Sequence, residues 1–409
     1  MRVLVLTHRL PFAPNRGDRI RAFHIIKQLA ARADVHVVSL VHDREEEAQA
    51  GTLRQLGVAV STAFVPRTRN LALAALKLQT STPLTHLLLD SPGMQPALER
   101  ALDGWRPDVV LAYCSGVAPL SLVPPLAGIP FVLDMVDVDS AKWSAFAGAA
   151  GFPKAWVYRR EARCLSAFEA RAVRAAFAAT VVNDRERAAL LRVCPGAAVH
   201  VSPNGVDVDA LSPPQPPGAD DRVIFSAVFD YAPNADGAVW FARNVWPLVR
   251  VARPSAHLTL AGSSPNAAVR RLAEDPSIEV TGRVEDMRPY LWRSAIAVAP
   301  IFQSRGVQNK VLEAAAAGLP SVVTRTVGQG LPSQVLPACR IADTADHFAA
   351  AVVELLSLSP DARRREAARA SLTALAWPTR LAPLVSLIER ACHNSGMKAS
   401  AGRSALTLG

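Results

Sequence analysis

The sequence predicts an α/β protein of two domains, each a parallel sheet covered by helices on both faces. Three observations carry this. Short apolar runs alternate with helical segments along the chain. The runs are nearly continuous in Val, Ile, Leu and Ala, as strands buried on both faces require. The texture breaks once, around Ser202–Gly218, and the alternation then starts afresh. At 409 residues the chain exceeds what one core usually serves, so two domains are expected.

The first domain, read as residues 1–202, opens with a strand at Val3–Leu6. A helix over Asp18–Ala31 follows, with Ala22, Ile25, Ile26, Leu29 and Ala30 at helical spacing. Strands are expected at Val35–Val41, Val58–Val65, Asp108–Ala112, Phe131–Leu133 and Ala179–Val182. Residues 69–104 read as helical, and residues 154–177 as one long amphipathic helix. Residues 203–221 read as a linker, because Pro203-Asn204-Gly205 signals a turn and Ser212–Gly218 is rich in proline.

The second domain, residues 222–376, repeats the pattern. Its strands are expected at Val223–Val228, His257–Ala261, Ile278–Thr281, Ile296–Pro300, Ser321–Thr324 and Arg340–Ala342. Helices are expected at 236–251, 266–274, 308–317, 344–357 and 360–376. A final helix at 377–392 is followed by a small, polar tail, 393–409, expected to be disordered.

Composition narrows the function classes. The net charge of +10 favours an acidic partner such as a nucleotide phosphate or an anionic lipid surface. No Lys/Arg block of the kind that marks a nucleic-acid arm is present. Five scattered cysteines without CxxC spacing fit neither a disulfide framework nor a zinc site, and suit a reducing compartment. The opening apolar run is too short for a signal-peptide core, and charges interrupt every long apolar stretch. A cytoplasmic protein is expected, with peripheral contact to an anionic membrane open to it. The helix at 154–176 could supply that surface through Lys154, Arg159, Arg160, Arg163, Arg171 and Arg174. A solvated helix face is the plainer reading.

The most informative stretch is Arg305–Gly318. A glycine, Gly306, opens a helix that carries Lys310 and Glu313 in its first turns, and Gly318-Leu319-Pro320 stops it. A helix N-terminus with one cation and one carboxylate suits a ligand that has both phosphates and hydroxyls. An ordinary α/β helix is the alternative. The loop His8–Arg19 holds Gly17 at a helix start, where backbone can approach a phosphate, although no G-x-G-x-x-G follows the strand. Asp134, Asp137 and Asp139 stand at the carboxyl end of the fifth strand, where α/β proteins keep their chemistry. Asp137-Val-Asp139 has the form of a metal-binding triplet, but Asp207-Val-Asp209 repeats it in the linker, so no metal is expected. Arg283 follows a strand end and is a candidate for a diphosphate. Ser-His-Asp spacing, HExxH and a Walker motif are all absent from the sequence.

Together these segments resemble the glycosyltransferases of family 4. The resemblance rests on Gly17-Asp-Arg-Ile-Arg, on Tyr158, Glu161 and Glu169, and on Val181-Val-Asn-Asp184. It continues through Pro203-Asn-Gly-Val-Asp207, Val280-Thr-Gly-Arg-Val284 and Lys310-Val-Leu-Glu313…Gly318-Leu-Pro320. Asp137–Trp143 and Tyr231-Ala-Pro-Asn234 look more narrowly like sugar transferases of exopolysaccharide and exosortase systems. The resemblance implies the GT-B fold, two Rossmann-like domains facing a cleft, with the last helix returning to the first domain. It implies a nucleotide-sugar substrate, no cofactor and no metal, and transfer with retention to a glycan or lipid-linked acceptor. Donor contacts would come from Gly17, Arg283, Arg305, Gly306, Val307, Asn309, Lys310 and Glu313. Of these, Glu313 would bind the ribose and Lys310 and Arg283 the diphosphate. Asp137, Arg283 and Lys310 would be catalytic.

Two positions depart from the family pattern. Arg305 stands eight residues before Glu313, where a sugar-binding Glu is usual. Val136 precedes Asp137, where many members have a His. They leave the sugar open, and with it two alternatives: a nucleotide-sugar epimerase, or a non-catalytic sensor or scaffold of the same fold.

Overall fold

The computed structural model describes residues 1–12, 17–214, 221–303 and 307–406. The chain divides into two compact units, Met1–Pro203 with Leu381–Gly409, and Asn204–Arg380. The first unit contains β1 (Arg2–Thr7), β2 (Asp34–Val41), β3 (Ala59–Phe64), β4 (Val109–Tyr113), β5 (Phe131–Val136), β6 (Ala178–Val181) and β7 (Val199–Val201). They form one sheet in the order β3-β2-β1-β4-β5-β6-β7, and every pairing is parallel. The second contains β8 (Arg222–Ser226), β9 (His257–Ala261), β10 (Ile278–Gly282), β11 (Ile296–Ala299), β12 (Ser321–Val323) and β13 (Cys339–Ile341). Their order is β10-β9-β8-β11-β12-β13, again all parallel.

The reason for this architecture lies in the strands themselves. Val3 to Leu6 and Val109 to Ala112 are sealed from solvent on both faces, and each unit has its own apolar core. Parallel neighbours need crossovers, and helices supply them. Those that bear on the sites are α1 (Gly17–Ala30), α2 (Asp139–Ala149), α3 (Lys154–Ala175), α4 (Asp184–Val193), α5 (Ala232–Trp240), α6 (Asn309–Ala316) and α7 (Trp377–Leu406). In each sheet the strand order reverses once, between β1 and β4 and between β8 and β11. Ligands of open α/β sheets bind at the carboxyl ends of strands at such reversals.

Several elements differ from the sequence reading. Residues 69–104 are three helices, Arg67–Leu76, Leu84–Leu88 and Met94–Leu102. Pro83 caps the second. The carbonyls of Leu78, Thr80 and Thr82 accept hydrogen bonds from Arg160, so the intervening turn is held by a side chain instead of a helix ladder. Arg160 is therefore buried beside Glu161 and does not belong to an exposed basic face. The helix expected at 236–251 contains a wide turn at Phe241–Val245, just before Pro247, which has no N–H to continue the ladder. Strand β7 and helices α2 and α4 lay in stretches too short or too mixed to show a period. The turn at Pro203-Asn204-Gly205 is fixed: the Val206 N–H donates to Leu375 O at 2.9 Å, and a side chain on Gly205 would lie 2.7 Å from the Trp377 backbone. Helix α7 runs on to Leu406, past the point at His393 where a tail was expected.

One buried pair ties α1 to the sheet of the first unit. Arg21 donates through Nε and Nη2 to Asp134 of β5, at 2.9 and 3.1 Å, and both side chains are fully buried. Thr180 of β6 adds a hydrogen bond to the same carboxylate at 2.8 Å. Removing one partner strands a charge in the core. Arg21→Met is expected to lose about 3–5 kcal/mol of stability. The double variant Arg21→Met/Asp134→Leu should lose much less than the two single losses added, which denaturant unfolding of all three would show.

Candidate active site

In the second unit the site assembles where the strand order reverses. Helix α5 follows β8 and helix α6 follows β11, so both begin at the carboxyl edge beside the reversal. Two glycines let the backbone close in there. A Cβ on Gly237 of α5 would sit 2.3 Å from Pro300 O, so α5 rests directly against the end of β11. A Cβ on Gly262, whose φ is +145°, would sit 1.8 Å from Ala227 O, so the loop after β8 lies against the end of β9.

That approach brings Asn234 to Lys310. The Lys310 Nζ donates to Asn234 Oδ1 at 2.9 Å, while Asn234 Nδ2 donates to Val228 O at 2.8 Å and fixes the amide. Nζ also lies 5.0 Å from the centre of the Phe225 ring. Burial pushes the Lys310 ammonium down to about 7, against the opposing pull of Glu313. Burial likewise raises the Glu313 carboxyl, with Lys310 holding it back. The two are three residues apart and so share one face of the first turns of α6. Gln308 gives α6 no side-chain cap, which leaves its N-terminal N–H groups to other acceptors. The helix ends as the sequence indicates: Gly318 takes φ +79° and the Leu319 N–H donates to Ala314 O at 2.9 Å.

Other candidates in this unit are placed less tightly. Asn309 accepts a long hydrogen bond from Asn204 at 3.5 Å, which links the turn before β8 to the start of α6. Val307 packs against the core. Arg283 is exposed just beyond Gly282, where β10 bulges, and β9 separates its strand from β8. It shares the carboxyl edge with Lys310 and Glu313 but stands apart from that pair. Arg305 and Gly306 lie outside the described residues.

The first unit holds Gly17 and Asp137. Gly17 begins α1, and Glu46 gathers described residues on either side of it, accepting from Leu10 N at 3.0 Å, Arg19 Nη2 at 3.0 Å and His42 N at 2.8 Å. Asp137 follows Val136, whose φ of +63° is exceptional for a β-branched residue and costs about 1–3 kcal/mol. Bonds on both sides hold the strain: Val182 N donates to Val136 O at 3.0 Å, and Val138 N to Glu186 of α4 at 2.8 Å. Surrounding protein, and next the Glu186 carboxylate, push Asp137 up to about 6, although its side chain reaches solvent. Asp139 accepts from Ser115 Oγ at 2.5 Å and is half-buried, and Asp134 is buried on Arg21, so Asp137 is the most exposed of the three aspartates.

Two family models match the chain: "Glycosyl transferase 4-like domain" over residues 17–205, and "Glycosyl transferases group 1" over residues 220–358. The chain carries the two domains of a GT-B glycosyltransferase. Solved structures share the fold at low identity. Anabaena Alr3699/HepE, in complex with UDP and glucose, is 13% identical with a TM-score of 0.63, over 95% of this chain and 100% of that one. A mutant of S. aureus TarM, in complex with Fondaparinux, alpha-GlcNAc-glycerol and UDP, is 8% identical with a TM-score of 0.65, over 95% and 99%. WaaG, a glycosyltransferase involved in lipopolysaccharide biosynthesis, is 15% identical with a TM-score of 0.60, over 93% and 99%. No curated protein matches by sequence.

In the sequence of this glycosyltransferase Asn234 and Asn204 stand within the segments that carry the resemblance but have no role assigned there, and neither Phe225 nor Glu46 is singled out. Asn234 had a signal, since it sits one turn into the helix after the first strand of its domain. Glu46 had none, because its partners lie in other elements. Glu161 and Glu169 prove to be structural: Glu161 accepts from Leu84 N and Thr85 N at 2.8 and 2.9 Å, and Glu169 from Ser140 N at 3.0 Å.

Burial pushes the Glu169 carboxyl up to about 7, above the ordinary 4.5. A raised acid favours the folded state fully below about 4.5, and the contribution fades as pH climbs to about 7. Glu169→Gln mimics the neutral acid. Its stability relative to wild type should therefore rise between those limits by up to roughly 3 kcal/mol. Parallel thermal unfolding of both proteins across that range would reveal a flat difference if Glu169 titrates normally.

Proposed function

We propose that this glycosyltransferase moves a hexose-type sugar from a nucleotide-sugar donor to a glycan or lipid-linked acceptor, with retention and without a metal, in bacterial polysaccharide biosynthesis. The observation that carries the reading is the start of α6, an uncapped helix N-terminus holding Lys310 and Glu313 at the reversal of the second sheet. Nucleotides in the complexes of Alr3699/HepE and TarM, and the lipopolysaccharide role of WaaG, support the substrate class.

The roles follow from chemistry. The donor diphosphate meets the α6 N–H groups and Lys310, with Arg283 as a second cation on the same edge and Arg305 and Gly306 in the loop before α6. Negative charge grows on the diphosphate as the glycosidic bond breaks, and the α6 N–H groups with Lys310 stand together to meet it. Glu313 accepts hydrogen bonds from the ribose hydroxyls. Gly17 is assigned to the donor contacts because a glycine at a helix start lets backbone approach a phosphate. Asp137, poised near neutrality, is assigned to the acceptor side, where it holds or accepts a proton.

Glu313→Ala is expected to weaken nucleotide-sugar binding at least tenfold, the loss of hydrogen bonds to a charged acceptor, and to abolish transfer. A thermal-shift screen of UDP-, GDP- and ADP-sugars reads the binding, since a ligand at about 100 times its Kd stabilises by roughly 2.7 kcal/mol. No shift with any of them overturns the reading. Isomerised sugar formed without acceptor would mark an epimerase instead, and binding without turnover a sensor.

The Lys310 ammonium sets the pH dependence of binding. Its pKa of about 7 in the free protein rises when an anion binds, so affinity is highest below about 7. Above that point affinity should fall, approaching tenfold per pH unit until the pKa of the complex is reached. A nucleotide sugar is the right probe, because its diphosphate does not titrate near neutrality. Calorimetry should find this slope in wild type and its loss in Lys310→Gln.

A further inference from the structure

The α2–α3 hairpin of the first unit carries a surface that the donor site does not use. Between residues 140 and 178 the carboxylates are Glu161 and Glu169, and both are buried. Lys142, Lys154, Arg159, Arg163, Arg171 and Arg174 are exposed. The exposed charge of the hairpin is thus of one sign. Trp156, Arg159, Arg163 and Arg174 recur on one face of α3.

Aromatic side chains stand in the same surface. Phe152, in the turn between the helices, is 89% exposed, Trp156 is 45% exposed and Phe146 of α2 is 38% exposed. The tip is braced. Trp143, Phe146 and Tyr158 pack ring against ring across the hairpin, with centroids 5.1 to 6.3 Å apart.

We propose that this hairpin docks on an anionic lipid bilayer, with Phe152 and Trp156 entering the interfacial layer and the exposed cations meeting lipid phosphates. Aromatic residues beside a row of Arg and Lys match the chemistry of that interface. A polyanion in water would satisfy the cations and leave Phe152 exposed. A second copy of the same face would set like charges against each other. Among the described residues no helix is long and apolar enough to cross a membrane, so a surface contact is the form of attachment the hairpin offers.

Co-sedimentation of the full chain with vesicles tests this. Equimolar phosphatidylcholine and phosphatidylglycerol should bind it, phosphatidylcholine alone should not, and added salt should release it. Arg159→Ala/Arg163→Ala should weaken binding about 25-fold, some fivefold per charge. Phe152→Ser/Trp156→Ser should weaken it tenfold or more. These substitutions are on the surface, and near-ultraviolet circular dichroism confirms that both variants are folded. The proposal falls if anionic vesicles fail to bind, or if neither variant weakens the binding. It falls too if single-stranded DNA competes as a preferred ligand, or if the aromatic pair instead holds a dimer that the double Ser variant dissolves. Nucleotide-sugar binding is a separate readout, and its loss or retention leaves the vesicle result intact.

Discussion

Everything functional in this chain depends on one constraint: a parallel strand can reach its neighbour only through a crossover. Each crossover helix starts at the carboxyl edge of its sheet, so that edge gathers helix N-termini and the loops before them. At the reversal of strand order two such helices diverge, and the loops between them have room for a ligand. In the second unit these are α5 and α6, and their first turns supply Asn234 and Lys310, which meet at 2.9 Å. Gly237 and Gly262 matter because the gathering requires close backbone approach, which a Cβ would obstruct.

Buried charge is used in two ways. Arg21 with Asp134, and Arg160 with Glu161, are paired and satisfied, and they lock crossovers to the sheet or to each other. Neither pair is open to exchange for a ligand without the fold losing its anchor. Lys310 differs. Its partner inside the protein is the neutral Asn234, and its charge is opposed by burial. Among the described residues no carboxylate stands within ion-pair distance of Lys310, and a cation so placed favours an anion from outside, which is the electrostatic argument for the proposed phosphate there. Asp137 is the counterpart in the first unit: its acid is raised by its surroundings, and Val136 holds a strained backbone beside it.

The two sheets were legible because each depends on apolar runs that stay continuous through both faces. The expected strands from Val3–Leu6 to Arg340–Ala342 all exist, within a few residues. The short β7 escaped because three residues carry no period. Residues 69–104 misled because their apolar spacing is helical, while Pro83 and the reach of Arg160 divide them. The site was legible only where its parts are adjacent in sequence. Lys310 and Glu313 share one helix turn and could be read directly. Asn234 and Lys310 are far apart along the chain, and their meeting depends on two glycines whose role is visible only in three dimensions. Arg160 shows the reverse error: one helix face of cations invites a single role, yet one member turns inward to hold four carbonyls.

A lysine held close to neutrality is also a way to prefer the right anion. A permanently charged side chain at the α6 N-terminus would draw any phosphate, because the helix already favours negative charge there. Above about pH 7, Lys310 instead takes its charge when an anion is close enough to offset its burial, which on the proposed reading couples the strength of the contact to how well the ligand fits. In its proposed role Glu313, on the same face, would act against bare phosphate by repulsion and in favour of a ligand that presents hydroxyls beside its phosphates. On the proposed reading, the carboxylate and the reluctant ammonium together favour a diphosphate joined to a sugar over either group alone, and Arg283 adds a second cation on the same edge.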